Sequence, residues 1–137
     1  MSDQSPAPGE IGVRAGTSPP RASVVIAAYN AAHCLAETLD SLLAQTVRPH
    51  EVIVVDDGSR DGTGDVARDH PVRATVIQQP NAGMCAARNT AVEAMTGDLV
   101  FILDSDDLWH PSYLERMTGM MVAHPAASCG FARYRAW

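Results

Sequence analysis

Short, unbroken apolar runs alternate along this chain with stretches whose apolar residues recur every three or four positions. The runs are Ser23-Val-Val-Ile-Ala-Ala28, Glu51-Val-Ile-Val-Val55 and Leu99-Val-Phe-Ile-Leu103, with Arg73-Ala-Thr-Val-Ile-Gln78 as a fourth, more polar one. A solvated face would show polar alternation, so the unbroken runs predict strands buried on both faces. After the first run, Leu35, Leu39, Leu42 and Leu43 form a helical stripe, with Asn30 as N-cap and Val47-Arg48-Pro49 as the stop. Asp61-Gly62-Thr63 opens a shorter helix to about Asp69, with Val66 as its buried contact. Met84 to Met95 presents Ala87, Ala91 and Ala94/Met95, a face small enough to lie close on a sheet, and Thr96-Gly97 ends it with Gly97 in a left-handed position. A last helix starts at Pro111, carries Leu114, Met117, Met120 and Met121, and stops at His124-Pro125; Ala127 to Ala132 reads as one more strand.

Strand–helix alternation of this kind requires parallel strands joined by right-handed crossovers. The expected fold is therefore α/β, three layers α/β/α around a mostly parallel sheet. A chain of 137 residues has room for one such domain. Residues 1–20 contain Pro6, Pro8, Pro19 and Pro20 and almost nothing to bury, which predicts a disordered leader before a domain over 21–137.

Composition removes several function classes. A net charge of -6 without a Lys/Arg run excludes an electrostatic footprint for nucleic acid. No apolar run approaches the ~20 residues of a membrane span, and the leader has neither the charged nor the apolar region of a signal peptide. Cys34, Cys85 and Cys129 lack metal-type spacing and sit among apolar or alanine-rich neighbours, so buried free thiols in a reducing cytoplasm are expected. No two of His33, His50, His70, His110 and His124 are spaced as metal ligands.

Parallel strands bring their carboxyl ends to one edge of the sheet, where ligands bind near a switch in strand order. Two of these ends are acidic and a third is aromatic: Asp56-Asp57-Gly58-Ser59, Asp104-Ser-Asp106-Asp107 and Tyr29-Asn30. Like charges about 5 Å apart repel by roughly 1 kcal/mol in water and about 3 kcal/mol at an effective dielectric near 20. A divalent cation reverses the sign of that term, and Mg²⁺ or Mn²⁺ takes Asp oxygens, typically one or two carboxylates plus phosphate oxygens. In isolation the second stretch could equally be a solvated acidic turn, with Asp106 or Asp107 capping the next helix; its convergence with the other two ends favours a site. Such a site suits a nucleoside diphosphate. The Tyr29 ring can flank a base, a carboxylate can accept from base or ribose, and a cation can neutralise a diphosphate leaving group. Arg88 could add charge against the phosphates, the alternative being a surface helix arginine. A dinucleotide-binding reading fails because Tyr29-Asn30-Ala31-Ala32 lacks the required glycines. Phosphatases with an aspartyl nucleophile share the Asp104-Ser-Asp106 spacing but carry it on an early strand, whereas here it comes late.

Together, Ser23-Val-Val-Ile-Ala-Ala-Tyr-Asn30, Val54-Val-Asp-Asp-Gly-Ser59 with Asp61-Gly-Thr63, Asn81-Ala-Gly83 with Ala87-Arg-Asn89, and Gly97-Asp98 leading to Leu103-Asp-Ser-Asp-Asp107 resemble the family-2 glycosyltransferases of GT-A fold. Each piece is weak alone; in this order and spacing, from Ser23 to Arg133, they are specific. The resemblance implies metal-dependent, inverting transfer of a sugar from a nucleotide diphosphate sugar, most often a UDP-sugar, to an acceptor hydroxyl on a saccharide, lipid-linked or protein partner, as in polysaccharide biosynthesis. It implies a nucleotide-sugar site drawn from Ala28, Tyr29, Asp56, Asp57, Asn81, Gly83, Arg88, Asp104 and Ser105. Tyr29 and Asp57 would serve base and ribose, Asp104 ribose and metal, and Asp106 would be the main ligand of Mg²⁺ or Mn²⁺. The resemblance also implies a carboxylate general base downstream of the acidic motif. Glu115 is the one carboxylate after Asp107, on a helix, so the base is expected beyond Trp137, in an acceptor-binding half that this chain stops short of. Gly130 to Trp137 reads as a strand interrupted before its connection. An incomplete sheet would expose apolar surface and promote self-association. The alternative is a non-catalytic nucleotide-binding or interaction remnant.

Overall fold

The computed structural model describes residues 18–132. Most of the expected leader, and the last part of the strand read at Gly130 to Trp137, lie outside the described residues. Strands and helices alternate as β1 (Ala22–Ala28), α1 (Leu35–Leu43), β2 (Glu51–Asp56), α2 (Thr63–Asp69), β3 (Thr75–Gln78), α3 (Met84–Ala94), β4 (Leu99–Ile102) and α4 (Tyr113–Ala123). All pairings in the sheet are parallel, in the order β3-β2-β1-β4. The chain thus steps outward from β1 to β3, then returns across β1 to β4. Right-handed crossovers on a path that reverses direction put α3 on the opposite face from α1 and α2.

The two cores follow this arrangement. On one face Val24, Ile26, Val52, Val54, Phe101 and Leu103 meet Leu35, Leu39 and Leu42 of α1, Ala67 of α2, and Leu114 and Met117 of α4. On the other, Val25, Ile53 and Val55 meet Ala87 and Ala91 of α3. Burying each α1 leucine contributes about 1.5–3 kcal/mol, and the alanines of α3 let its backbone approach the sheet. The three-layer α/β/α architecture is as the alternation required.

Several local expectations give way to tertiary contacts. Asn30 does not cap α1, which begins at Leu35. It adopts φ 50°, and its Oδ1 accepts the Arg60 N–H at 3.0 Å. In α2, Val66 is only half-buried; Thr63, Gly64 and Ala67 are the buried residues. Gly97 is not left-handed, since the glycines at positive φ are Gly58, Gly62 and Gly83. A Cβ at Gly97 would lie 2.3 Å from Ser23 Oγ and 2.7 Å from the Arg21 carbonyl, so close approach to β1 is what excludes a side chain. Pro111 lies just ahead of α4, whose cap position is Ser112, and neither Asp106 nor Asp107 caps a helix. β4 is buried on one face only: Phe101 is covered, but Val100 and Ile102 are 43% and 51% exposed, because α3 packs chiefly over β1 and β2. No strand forms over 127–132; Gly130 instead packs against the Met120, Met117 and Met121 side chains of α4. Cys85 and Cys129 are exposed and Cys34 half-buried, all three as free thiols, so the expectation of buried thiols does not hold. Among the described residues no helix is long and apolar enough to cross a membrane.

Candidate functional site

The switch in strand order lies between β1 and β4, with β2 on the other side of β1. At the carboxyl edge, therefore, the loop after β1 stands between the two acidic turns. They are built very differently.

Asp56 and Asp57 are almost wholly buried, at 2% and 3% exposure. Asp56 Oδ1 accepts the Ser59 N–H at 2.9 Å, and its Oδ2 accepts Gln78 Nε2 at 3.0 Å. The backbone of α2 passes so near that a Cβ at Gly64 would sit 2.7 Å from Asp56 Oδ2. Asp57 Oδ1 accepts Gln79 Nε2 at 2.7 Å and the Ala82 N–H at 2.9 Å, while Oδ2 accepts the Gly83 N–H at 2.8 Å. Burial alone would push both carboxyls up, yet these hydrogen bonds hold both below the ordinary carboxylate range. The neighbouring backbone is tied in as well. The Asp57 N–H donates to the Ala28 carbonyl at 2.9 Å, and Asn81 Nδ2 donates to the Asp57 carbonyl at 3.0 Å. Gly58, at φ 80°, lets Asn81 come within 2.8 Å of where a Cβ would be. Asp57 is thus the keystone of the loop that delivers α3, with Gly83 as its cap residue at φ 90°.

The loop after β1 is fastened to the next crossover. The Asn30 N–H donates to Ser59 Oγ at 2.9 Å, the Ala31 N–H to Thr63 Oγ1 at 2.8 Å, and the Ala32 N–H to Asp61 Oδ2 at 3.0 Å. Asp61 in turn accepts the Thr63 hydroxyl and N–H. Tyr29, held between these ties, keeps 53% of its surface exposed.

The second turn is anchored through its backbone and leaves its charge in solvent. The Leu103 N–H donates to the Val25 carbonyl at 3.1 Å, and the Asp107 N–H closes the turn on the Asp104 carbonyl at 3.2 Å. The Ser105 carbonyl accepts Thr38 Oγ1 at 2.9 Å and Cys34 Sγ at 3.4 Å, both from the start of α1. Asp104, Asp106 and Asp107 all remain exposed. Asp107 is pushed above the ordinary range by burial and then by the negative charge of Asp104 and Asp106. One cation answers them among the described residues: Arg88 of α3, whose Nη2 contacts Asp104 Oδ1. Arg88 Nε is buried with no partner, and a buried donor left unmet costs about 1–3 kcal/mol.

No group of three or more His, Cys, Asp or Glu side chains is arranged as a ready-made metal site among the described residues. The acidic turn offers the two carboxylates of Asp104 and Asp106, short of a full shell. That donor set fits a hard divalent cation whose remaining oxygens come from a phosphate ligand and water.

Of the sequence-predicted site residues, Tyr29, Asp57, Asn81 and Gly83 reach the carboxyl edge from three loops, and Arg88 and Asp104 are in contact. The Ala28 and Ser105 carbonyls are already bonded within the protein. Not foreseen were the clamp of Asp61, Thr63 and Ser59, and the pair Gln79–Thr90, in which the Thr90 hydroxyl donates to Gln79 Oε1 at 2.7 Å. Ser59, Asp61 and Thr63 stand in the motif stretches read above, but without this role, whereas the signal of Gln79 and Thr90 is slight, polar residues just past a strand and within a helix.

Comparison with known proteins decides the family. Residues 23–136 match Glycosyl transferase family 2. The chain belongs to that family. It is 38% identical over 109 residues to the glycosyltransferase GlyA of Streptococcus pneumoniae, covering 76% of this chain and 15% of GlyA. S. aureus TarS in complex with UDP superposes with a TM-score of 0.70 at 30% identity, over 76% of this chain and 32% of the other. The mannosyltransferase PcManGT of Pyrobaculum calidifontis, in complex with GDP-Man and Mn²⁺, gives 0.69 at 35% identity, over 77% and 33%. The chain therefore spans about a third of these two solved structures and less of GlyA.

Proposed function

We propose that this chain forms the donor site of a glycosyltransferase that takes a sugar from a nucleoside diphosphate sugar, with Asp104 and Asp106 holding Mg²⁺ or Mn²⁺. The observation that carries the proposal is the exposed, charge-unbalanced turn Asp104–Asp107 beside the switch in strand order. Tyr29 flanks the base, and the loop organised by Asp57, with Asn81 and Gly83, walls the nucleotide. When bound, a cation there would supply positive charge to offset the nucleoside diphosphate that leaves as the bond from the anomeric carbon to the phosphate oxygen breaks. Asp104 and Asp106 position that charge on the leaving side, and Arg88 adds a second positive group there. The acceptor oxygen attacks the anomeric carbon from the opposite face, which inverts it, and gives up its proton to a carboxylate base. A UDP-sugar is the donor of first choice, by analogy with TarS in its UDP complex; PcManGT in its GDP-Man complex makes GDP the control. Free thiols, two of them exposed, suit a reducing cytoplasm.

The alternative is a nucleotide-binding module without transfer. Calorimetric titration of UDP and of GDP, with and without Mn²⁺, tests the donor site. Metal-dependent binding that disappears in Asp106→Asn supports it, and no binding by a folded chain removes it. Slow hydrolysis of a UDP-sugar by water, which needs no acceptor site, separates transferase from module.

A further inference from the structure

We propose that Arg88 holds the cation's place: in the free protein its guanidinium neutralises Asp104, and it must let go when a divalent cation arrives, turning to the diphosphate instead. This rests on the donor-site reading above and adds to it a coupling between metal and nucleotide. Arg88 reaches Asp104 from α3, across the sheet from α1, which anchors the turn's backbone. Its side chain is 26% exposed against 51% for Asp104. A guanidinium built to stabilise a carboxylate uses its planar fork, two parallel N–H groups on two oxygens. This one makes a single Nη2 contact to Oδ1 and leaves Nε buried and unmet. A buried donor without an acceptor needs an explanation, and an acceptor brought by the ligand supplies one: a phosphate oxygen. The first turn of α3 carries no acidic residue of its own, and the Asp57 carboxylate against that helix end is spent on Gln79 and on the Ala82 and Gly83 N–H groups.

A cation bound to Asp104 competes with the guanidinium for the same carboxylate. Metal alone then binds weakly because it must displace Arg88, and the diphosphate favours metal binding by giving Arg88 another partner. Arg88 is thus a positioning residue for the metal and a binding residue for the nucleotide, with effects of opposite sign.

The test is Mn²⁺ titration of the full chain, of Arg88→Met, which keeps the aliphatic stem, and of Arg88→Lys, which keeps the charge. UDP titration at saturating Mn²⁺ follows. Arg88→Met is expected to bind Mn²⁺ alone about fivefold more tightly, the scale of a part-exposed ion pair, and UDP about tenfold more weakly, while Arg88→Lys stays near the parent for Mn²⁺. Unchanged or weaker Mn²⁺ binding in Arg88→Met overturns the inference, because a merely structural arginine would lower both affinities or neither. Should Arg88→Met fail to fold, arginine side-chain NMR of the parent decides: Mg²⁺ alone should perturb the Arg88 resonances, and added UDP should slow exchange of its Nε–H. Resonances unmoved by either overturn it. If the parent binds no UDP yet Arg88→Met still gains Mn²⁺ affinity, the donor reading falls and the competition stands. UDP binding without that gain overturns the competition and leaves the donor reading in place.

Discussion

The turns at Asp56-Asp57 and Asp104–Asp107 share a sequence signature, an apolar strand ending in carboxylates, and do opposite things with it. In the first, each oxygen of Asp56 and Asp57 accepts at least one hydrogen bond from the protein itself, and the carboxyls titrate below their ordinary range for that reason. In the second, the backbone is tied down and the carboxylates are left in solvent, with one guanidinium against Asp104. Acid at a strand end is architecture when nearby N–H groups consume it and an invitation to a cation when they do not. Sequence registers the acid, whereas the supply of donors depends on which loops the sheet order brings together.

The largest effect should come from the first turn. Asp57→Ala removes three hydrogen bonds to a buried carboxylate and strands the Ala82 and Gly83 N–H groups. Unfolding stability should fall by about 3 kcal/mol, read from the urea midpoint. Asp106→Ala, on an exposed turn, should stay within about 0.5 kcal/mol of the parent. Equal losses in both variants would break the comparison.

Ligand binding reverses the ranking. Asp106→Asn should weaken Mn²⁺-dependent UDP binding by at least about tenfold, in keeping with the loss of a metal ligand, at unchanged stability. A variant that binds as the parent does would move the metal elsewhere.

Acid offers a subtler contrast. Asp56 and Asp57 have folded pKa values below their unfolded ones, as has Glu51, which burial would raise but which hydrogen bonds from Ser23, Thr96 and Gly97 hold down. Groups of this kind contribute stability that is fully present above the unfolded pKa, near 4, and is lost as pH falls through the folded values. Stability should thus be flat from neutrality to about pH 5 and fall below about pH 4. In Asp57→Ala the fall should be shallower. An equally steep acid limb in that variant would mean that the turn is not what titrates.

Much of this is legible in the sequence, for identifiable reasons. The alternation of Ser23–Ala28, Glu51–Val55 and Leu99–Leu103 with helical stripes fixes a parallel three-layer fold, because crossover handedness leaves few other arrangements. Asp104 and Asp106 are legible as a pair because spacing survives folding. What stays hidden depends on distance across the chain. Asn30 reads as a cap because Arg60, its true partner, is thirty residues away. Gly97 reads as a turn residue because Ser23, which it must clear, lies on another strand. Most telling is β4: an unbroken apolar run says that a strand can be covered on both faces, and only the position of α3 says whether it is.

That open face sets the smallest prediction. Among the described residues, the two outer strands of the sheet are defended unequally. Around β3, Pro71, Arg73 and Pro80 flank a short strand with polar Thr75 and Gln78 exposed, the usual guards against pairing with another chain. On β4, Leu99 to Ile102 carries no charge or proline, and Val100 and Ile102 stand in solvent. Ile102→Lys should therefore change stability by no more than about 0.5 kcal/mol, while reducing whatever self-association light scattering detects in the parent at high concentration. If Ile102→Lys instead costs as much as a core substitution, about 2 kcal/mol or more, then Ile102 is covered in solution, and the β4 edge belongs with the first turn as finished architecture.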